Sequence, residues 1–232
     1  PLSETGIQNG RTKLAEQLLH QDDLRSFLVG NANKTTSGSD IKGDAEDGGV
    51  ELVLISPLTR CLQTYVYGVE PVLSELLKKQ DSVGIDDFND GDAIYTNHNS
   101  LSRSKLPIPV LALPLLRERV YTVSDTGRPT LVLEKEFPSI DFSECHKSRN
   151  ERQGSNGGGD DDIWWYTGKI RGNGSETTDD EYEEWRPHGQ GQWYAVPGEP
   201  KVLFERRIEE LKEWLFQRKE NKILIVAHWE LL

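Results

Sequence analysis

Two stretches of the chain are apolar without interruption, Leu52 to Ile55 and Ile223 to Ala227. That pattern suits strands covered on both faces, as in a parallel sheet, rather than the alternation of a half-exposed strand. A third candidate, PIPVLALPLL at 107–116, is apolar but punctuated by prolines. Between these runs the period changes to 3.6. Phe204, Ile208, Leu211 and Leu215 form a stripe that predicts a helix over Val202 to Arg218, with Pro200 suited to its first turn and Asn221 closing it. A second helix is predicted from Leu58 to Lys79, interrupted near Gly68 and Pro71. Ser3 is a candidate N-cap for a third, running towards His20 with Ile7, Leu14 and Leu18 on one face and Ala15 and Leu19 widening it. Gly6 and Gly10 each cost about 1 kcal/mol in helix propensity. Close packing against another element is the expected reason for them.

Strands alternating with helices predict an α/β fold with a mostly parallel sheet. The polar and glycine-rich stretches at 29–49, 80–105 and 146–184 read as insertions into one domain spanning 1–232, a length that one core accommodates. In such sheets ligands sit beyond the carboxyl ends of the strands. Arg60, Glu118 and His228 each fall just past a predicted strand.

Composition narrows the class. Apolar residues make up 35% and charged residues 28% of the 232 positions, as in a folded, water-exposed protein. A formal charge of −12 argues against a nucleic-acid partner, because phosphate backbones are held by basic surfaces. A small anionic ligand remains compatible with it, since a local arginine cluster outweighs distant acidic residues that salt screens beyond about 10 Å. No apolar run approaches the roughly 20 residues of a membrane span. Cys61 and Cys145 make no disulfide framework and no metal-ligand spacing, which points to a reducing, cytoplasmic compartment. The acidic runs Asp160-Asp161-Asp162 and Asp179-Asp180-Glu181 lack the alternating ligands and central glycine of a calcium loop and read as solvated charge. The histidines likewise show no metal spacing.

An arginine, a carboxyl group and a histidine at one sheet edge suit phosphoryl transfer. A guanidinium offers a planar fork of donors that matches phosphate oxygens and stays charged at neutral pH. A histidine donates to such oxygens or attacks phosphorus, and a glutamate kept from full ionisation protonates a leaving oxygen and later takes a proton from water.

The segment SPLTRCLQT resembles the Ser-x-Leu-x-Arg-x-x-x-Thr motif of the histidine phosphatase superfamily, the phosphoglycerate mutase-like enzymes, with Ser56, Leu58, Arg60 and Thr64 in place. LSETGIQNG is similar to that family's Leu-Thr-x-x-Gly-x-x-Gln segment, with Gln8 one position early. LLRER brings Glu118, and ILIVAHW brings His228, to the family's acid/base glutamate and second catalytic histidine. FPSIDFSE, Ile163-Trp164 and EWLFQRKENKILIVAHW are similar to plant and protist members. The resemblance implies a three-layer α/β/α sandwich and a phosphatase acting on small phosphorylated substrates through a phosphohistidine, without metal or other cofactor. It implies catalytic roles for Arg60, Glu118 and His228, and substrate contacts from Arg117 or Arg119.

Two departures accompany it. The family's Arg-His-Gly, on its first strand, is absent and would lie upstream of Pro1, so the expectation is an incomplete domain whose first strand and nucleophile are missing. Loss of the motif is the alternative, which makes the chain a non-catalytic phosphate-binding or interaction module. Glu230 stands where the family carries a small residue, and its carboxylate repels an anionic substrate if it faces inwards. Phosphatase and mutase activities, substrate identity and oligomeric state are not separated by these residues.

Overall fold

A computed structural model of the chain describes residues 1–30, 48–82, 107–152, 164–165 and 199–231. The fold is α/β. Its sheet has three parallel strands in the order β2–β1–β3, where β1 is Leu52–Ile55, β2 is Val110–Ala112 and β3 is Ile223–Val226. Val53 pairs with Val110 on one side of β1 and with Leu224 on the other. With hydrogen-bonding partners on both edges and helices on both faces, all four residues of β1 are buried, which is why its sequence shows no alternation.

Successive side chains of β1 divide between two cores, as a period of two requires. Val53 and Ile55 face Leu58, Leu62, Tyr65, Val69 and Leu73, together with Leu133, Phe137 and Trp164. Leu52 and Leu54 face Leu113, Leu116 and Leu211, with Trp214 and Leu215 packed against them. Leu211 lies on the helix Lys201–Phe216 (α8 below), which Pro200 opens as expected.

At the amino end, Ser3 Oγ accepts from Gly6 N at 3.1 Å and opens α1 (Glu4–Asn9). The helix continues through a π-helical turn, Gly10–Leu14, into α2 (Ala15–His20), followed by α3 (Asp22–Val29). After β1 come α4 (Thr59–Thr64), a second π-helical turn at Tyr65–Val69 and α5 (Glu70–Ser82), so the expected interruption near Gly68 is a local widening of one continuous helix. The two wide turns cross at Gly10 and Gly68. A Cβ on Gly68 would stand 2.7 Å from Leu14 Cδ2 and 3.0 Å from Gly10 O, whereas one on Gly10 would meet Gly68 N at 4.0 Å. Close packing therefore explains Gly10's neighbourhood, but the position that demands glycine is Gly68.

Two more helices flank the sheet, α6 (Thr130–Glu136) and α7 (Ser143–Arg152), before α8. Neither was expected, and α7 runs into the stretch read as an insertion. The insertion after α3 leaves and returns at one point. Gly30, at φ 78°, bridges Gly48 in antiparallel fashion, and Val50 N donates to Leu28 O at 3.0 Å. The remaining parts of the three insertions, with both acidic runs and Ile163, lie outside the described residues.

The third expected strand is cut short. Prolines at 109 and 114 supply no N–H to a ladder, and the chain turns through a 3₁₀ segment at Pro114–Leu116. β3 departs from expectation differently. It was expected to be covered on both faces, yet among the described residues it pairs only with β1 and none of its four side chains is fully buried, Ile225 being 42% exposed.

Candidate active site

The carboxyl end of β1 turns through Ser56-Pro57-Leu58 into α4, which places Arg60 in the first helical turn. Ser56 N donates to Val226 O at 2.9 Å, fixing this turn against the end of β3. His228 follows β3 by two residues. Glu118 comes from extended backbone after the 3₁₀ turn that ends β2. All three side chains thus start from the carboxyl edge of the sheet.

They meet there. Glu118 Oε2 lies 3.3 Å from His228 Nδ1 and 3.8 Å from Arg60 Nη2. The Glu118 and His228 side chains are nearly enclosed, at 12% and 4% exposure, while Arg60 remains partly open to solvent at 28%. Glu118 Oε1 is buried without a hydrogen-bond partner among the described residues.

Burial decides the protonation of both groups. It raises Glu118 to about 7, helped by the carboxylates of Glu230 and Asp125 and opposed by Arg60 and the Arg119 N–H. It lowers His228 to about 4, with Arg60 and Arg207 pushing the same way against Asp125. Near neutral pH the imidazole is uncharged and the carboxyl group is divided between its two states. Cys61 Sγ stands 3.5 Å from His228 Nε2, but burial pushes its thiol up to about 12, so it is no nucleophile.

Ser56 Oγ lies 2.8 Å from His228 Nε2, completing a row of Ser56, His228 and Glu118. The order matches a nucleophilic relay, yet Ser56 is 0% exposed and no substrate reaches its hydroxyl. Its work is to hold the imidazole by one nitrogen while the other faces Glu118.

Arg60 is anchored from a third direction. Its Nη1 donates to Ser124 O at 2.9 Å and its Nη2 to Asp125 Oδ1 at 3.1 Å. Asp125 Oδ2 accepts from the backbone N–H groups of Tyr121 and Thr122 and from Thr122 Oγ1, so the acid that orients Arg60 is itself fixed. Sequence reasoning missed Asp125. The signal was present as Thr122-x-x-Asp125, the spacing in which an acid reaches back to a turn's first N–H.

Extended backbone sends neighbouring side chains to opposite sides. Arg117 is buried against Glu199, Nη2 to Oε1 at 2.8 Å, and is committed to that ion pair rather than to the cluster around Glu118. Arg119 donates from Nε to Glu199 O at 2.9 Å and lays its guanidinium over the Tyr121 ring, hydrogen-bonding the phenol. Burial raises both Glu118 and the Tyr121 hydroxyl, and the Glu230 carboxylate adds to each shift, so its charge is felt at the site.

No family model matches the chain, and no solved structure matches it. Over 104 residues the chain is 28% identical to a probable phosphatase of Schizosaccharomyces pombe. That alignment covers 45% of this chain and 34% of the yeast protein, so the chain spans about a third of the relative it matches.

Proposed function

We propose that Arg60, Glu118 and His228 belong to a phosphoryl-transfer site, and that the protein they serve hydrolyses small phosphate monoesters as a phosphoglycerate mutase-like histidine phosphatase. The observation that carries this reading is the convergence of Arg60 and His228 on Glu118, each within 4 Å of its Oε2, at the carboxyl edge of a parallel sheet. The likeness to a probable phosphatase supports the same chemistry.

Arg60 keeps donors beyond the two bonds to Ser124 and Asp125, because a guanidinium carries five N–H groups. These bind the equatorial phosphoryl oxygens, and the neutral His228 contributes a ring N–H once substrate displaces one of its partners. Arg119, on the rim, contacts the rest of the substrate. A histidine brought from outside residues 1–232 attacks phosphorus. As the P–N bond forms and the ester P–O bond breaks, Glu118 gives its proton to the leaving oxygen. Water then attacks the phosphohistidine, Glu118 takes the water's proton, and inorganic phosphate departs. Positioning and electrostatic stabilisation supply most of the acceleration. β3, incompletely covered among the described residues, is where a strand carrying that histidine packs.

The test is an assay of this chain and of a longer chain that includes upstream sequence, with p-nitrophenyl phosphate. Turnover by the longer chain, lost in Glu118→Ala and accompanied by an acid-labile phosphoprotein, supports the reading. Turnover by the 232-residue chain alone contradicts the external nucleophile. A second reading, a non-catalytic interaction module with the same fold, is favoured by the Glu230 carboxylate acting on the site, since it repels an anionic substrate, and inactivity of the longer chain selects it.

A further inference from the structure

Glu118 carries little that fixes it directly. One carboxylate oxygen is buried without a hydrogen-bond partner among the described residues, the other lies 3.3 Å from an imidazole and 3.8 Å from a guanidinium, and the remaining donor is the adjoining backbone N–H of Arg119. Its position is therefore set by the backbone on either side, and a single buried pair of residues grips that backbone from both directions.

Arg207, on α8, directs Nη1 at two carbonyls of this segment, Leu115 O and Arg117 O, each at 2.8 Å. Its Nε and Nη2 form a fork on Glu199, at 3.1 Å to Oε1 and 2.9 Å to Oε2. Glu199 reaches the same segment by three further bonds. Its N–H donates to Val120 O at 2.8 Å, its carbonyl accepts from Arg119 Nε at 2.9 Å, and its Oε1 accepts from Arg117 Nη2 at 2.8 Å. Carbonyls or side chains of residues 115, 117, 119 and 120 are held, and Glu118 is the residue left to face the other way. Both partners are nearly inaccessible to water, Glu199 at 2% and Arg207 at 4% exposure, so the bonds are not diluted by solvent competition.

We infer that Glu199 and Arg207 are positioning residues for Glu118, a clamp through which α8 holds the proton-transfer carboxyl group against His228 and Arg60. This rests on the proposed role of Glu118 but concerns a different property of the molecule, its local rigidity. A guanidinium is required because one planar group must fork onto a carboxylate and still reach two carbonyls, which an ammonium on a flexible stem does not reproduce.

The experiment follows hydrogen exchange at Arg117 N and Glu199 N, and the Glu118 carboxyl titration by carbon NMR, in the 232-residue chain, without added phosphate. Arg207→Lys keeps the charge and Arg207→Met keeps the bulk. In both, exchange at the two amides should accelerate about tenfold relative to β1 amides. The Glu118 titration should also fall from about 7 towards the ordinary carboxylate range as it swings away from Arg60, Asp125, Glu230 and His228 into water. A uniform loss of protection with the Glu118 titration unchanged marks a purely structural ion pair and overturns the inference. Should neither variant fold, the wild type decides. Slowly exchanging, resolved Arg207 guanidinium protons support the clamp, and signals averaged like those of exposed Arg11 refute it. Phosphate binding that is abolished by Arg60→Ala tests the functional reading separately, so either can fail alone.

Discussion

Glu118 Oε2 stands 3.3 Å from His228 Nδ1, and burial moves the two groups in opposite senses, the carboxyl group up to about 7 and the imidazole down to about 4. The pair holds a proton donor and a neutral imidazole side by side at neutral pH. That combination suits a site that must protonate a leaving oxygen.

The shifts fix how stability depends on pH. Glu118 holds its proton more tightly in the folded chain, so its contribution is fully present below about 4.5 and is lost as pH rises through about 7. Glu118→Gln removes that dependence. Urea unfolding should show the variant gaining stability relative to wild type between pH 5 and 8. A constant difference across that range would mean Glu118 titrates normally.

His228 works with the opposite sign. Its folded value lies below its ordinary one, so its contribution is present above about 6.5 and is lost as pH falls towards about 4. The imidazole signal followed by NMR should stay in the neutral form at pH 5.5, where an exposed histidine is largely protonated. Ser56→Ala, which removes the hydroxyl at 2.8 Å from Nε2, should leave the ring's burial intact but free its orientation, seen as broadening of the same signal.

Asp125 gathers two backbone N–H groups, the Thr122 hydroxyl and Arg60. Asp125→Ala strands those donors and should cost about 1–3 kcal/mol in a chemical unfolding measurement. Asp125→Asn keeps an acceptor and should cost less. Equal losses would assign the effect to charge rather than to hydrogen bonding.

Gly68 and Gly10 face each other but differ in room. Gly68→Ala forces a Cβ to within 2.7 Å of Leu14 Cδ2 and 3.0 Å of Gly10 O, and overpacking of this kind costs about 1–3 kcal/mol. Gly10→Ala meets its nearest neighbour at 4.0 Å and should be neutral or slightly stabilising. Thermal melts of the two variants decide it, and a melt in which Gly10→Ala is the worse of the two contradicts the crossing geometry.

What could be read from the sequence was what local pattern encodes. β1 and α8 lie within two residues of their expected bounds because uninterrupted apolar runs and a 3.6-residue stripe leave few alternatives. α6 escaped notice because Leu131 and Val132 face solvent while Thr130 and Leu133 are the buried pair, which spoils the stripe. Arg60, Glu118 and His228 were found through their place after strands. Asp125 and Glu199 were not, since what ties each to the site is a partner distant in sequence, Arg60 at 65 positions from Asp125 and Arg117 and Arg119 at 82 and 80 positions from Glu199. Arg117 and Arg119 were both candidates for a substrate contact in LLRER. Only the buried Glu199 carboxylate separates the one locked beneath the segment from the one at the rim.

The central claim is that positions 60, 118 and 228 form a site for a tetrahedral oxyanion. The most direct measurement is an NMR titration of the 232-residue chain with inorganic phosphate, observing the His228 imidazole. A saturable shift at His228 that disappears in Arg60→Ala is the predicted result. No response through the millimolar range, or a response that survives Arg60→Ala, would contradict the account.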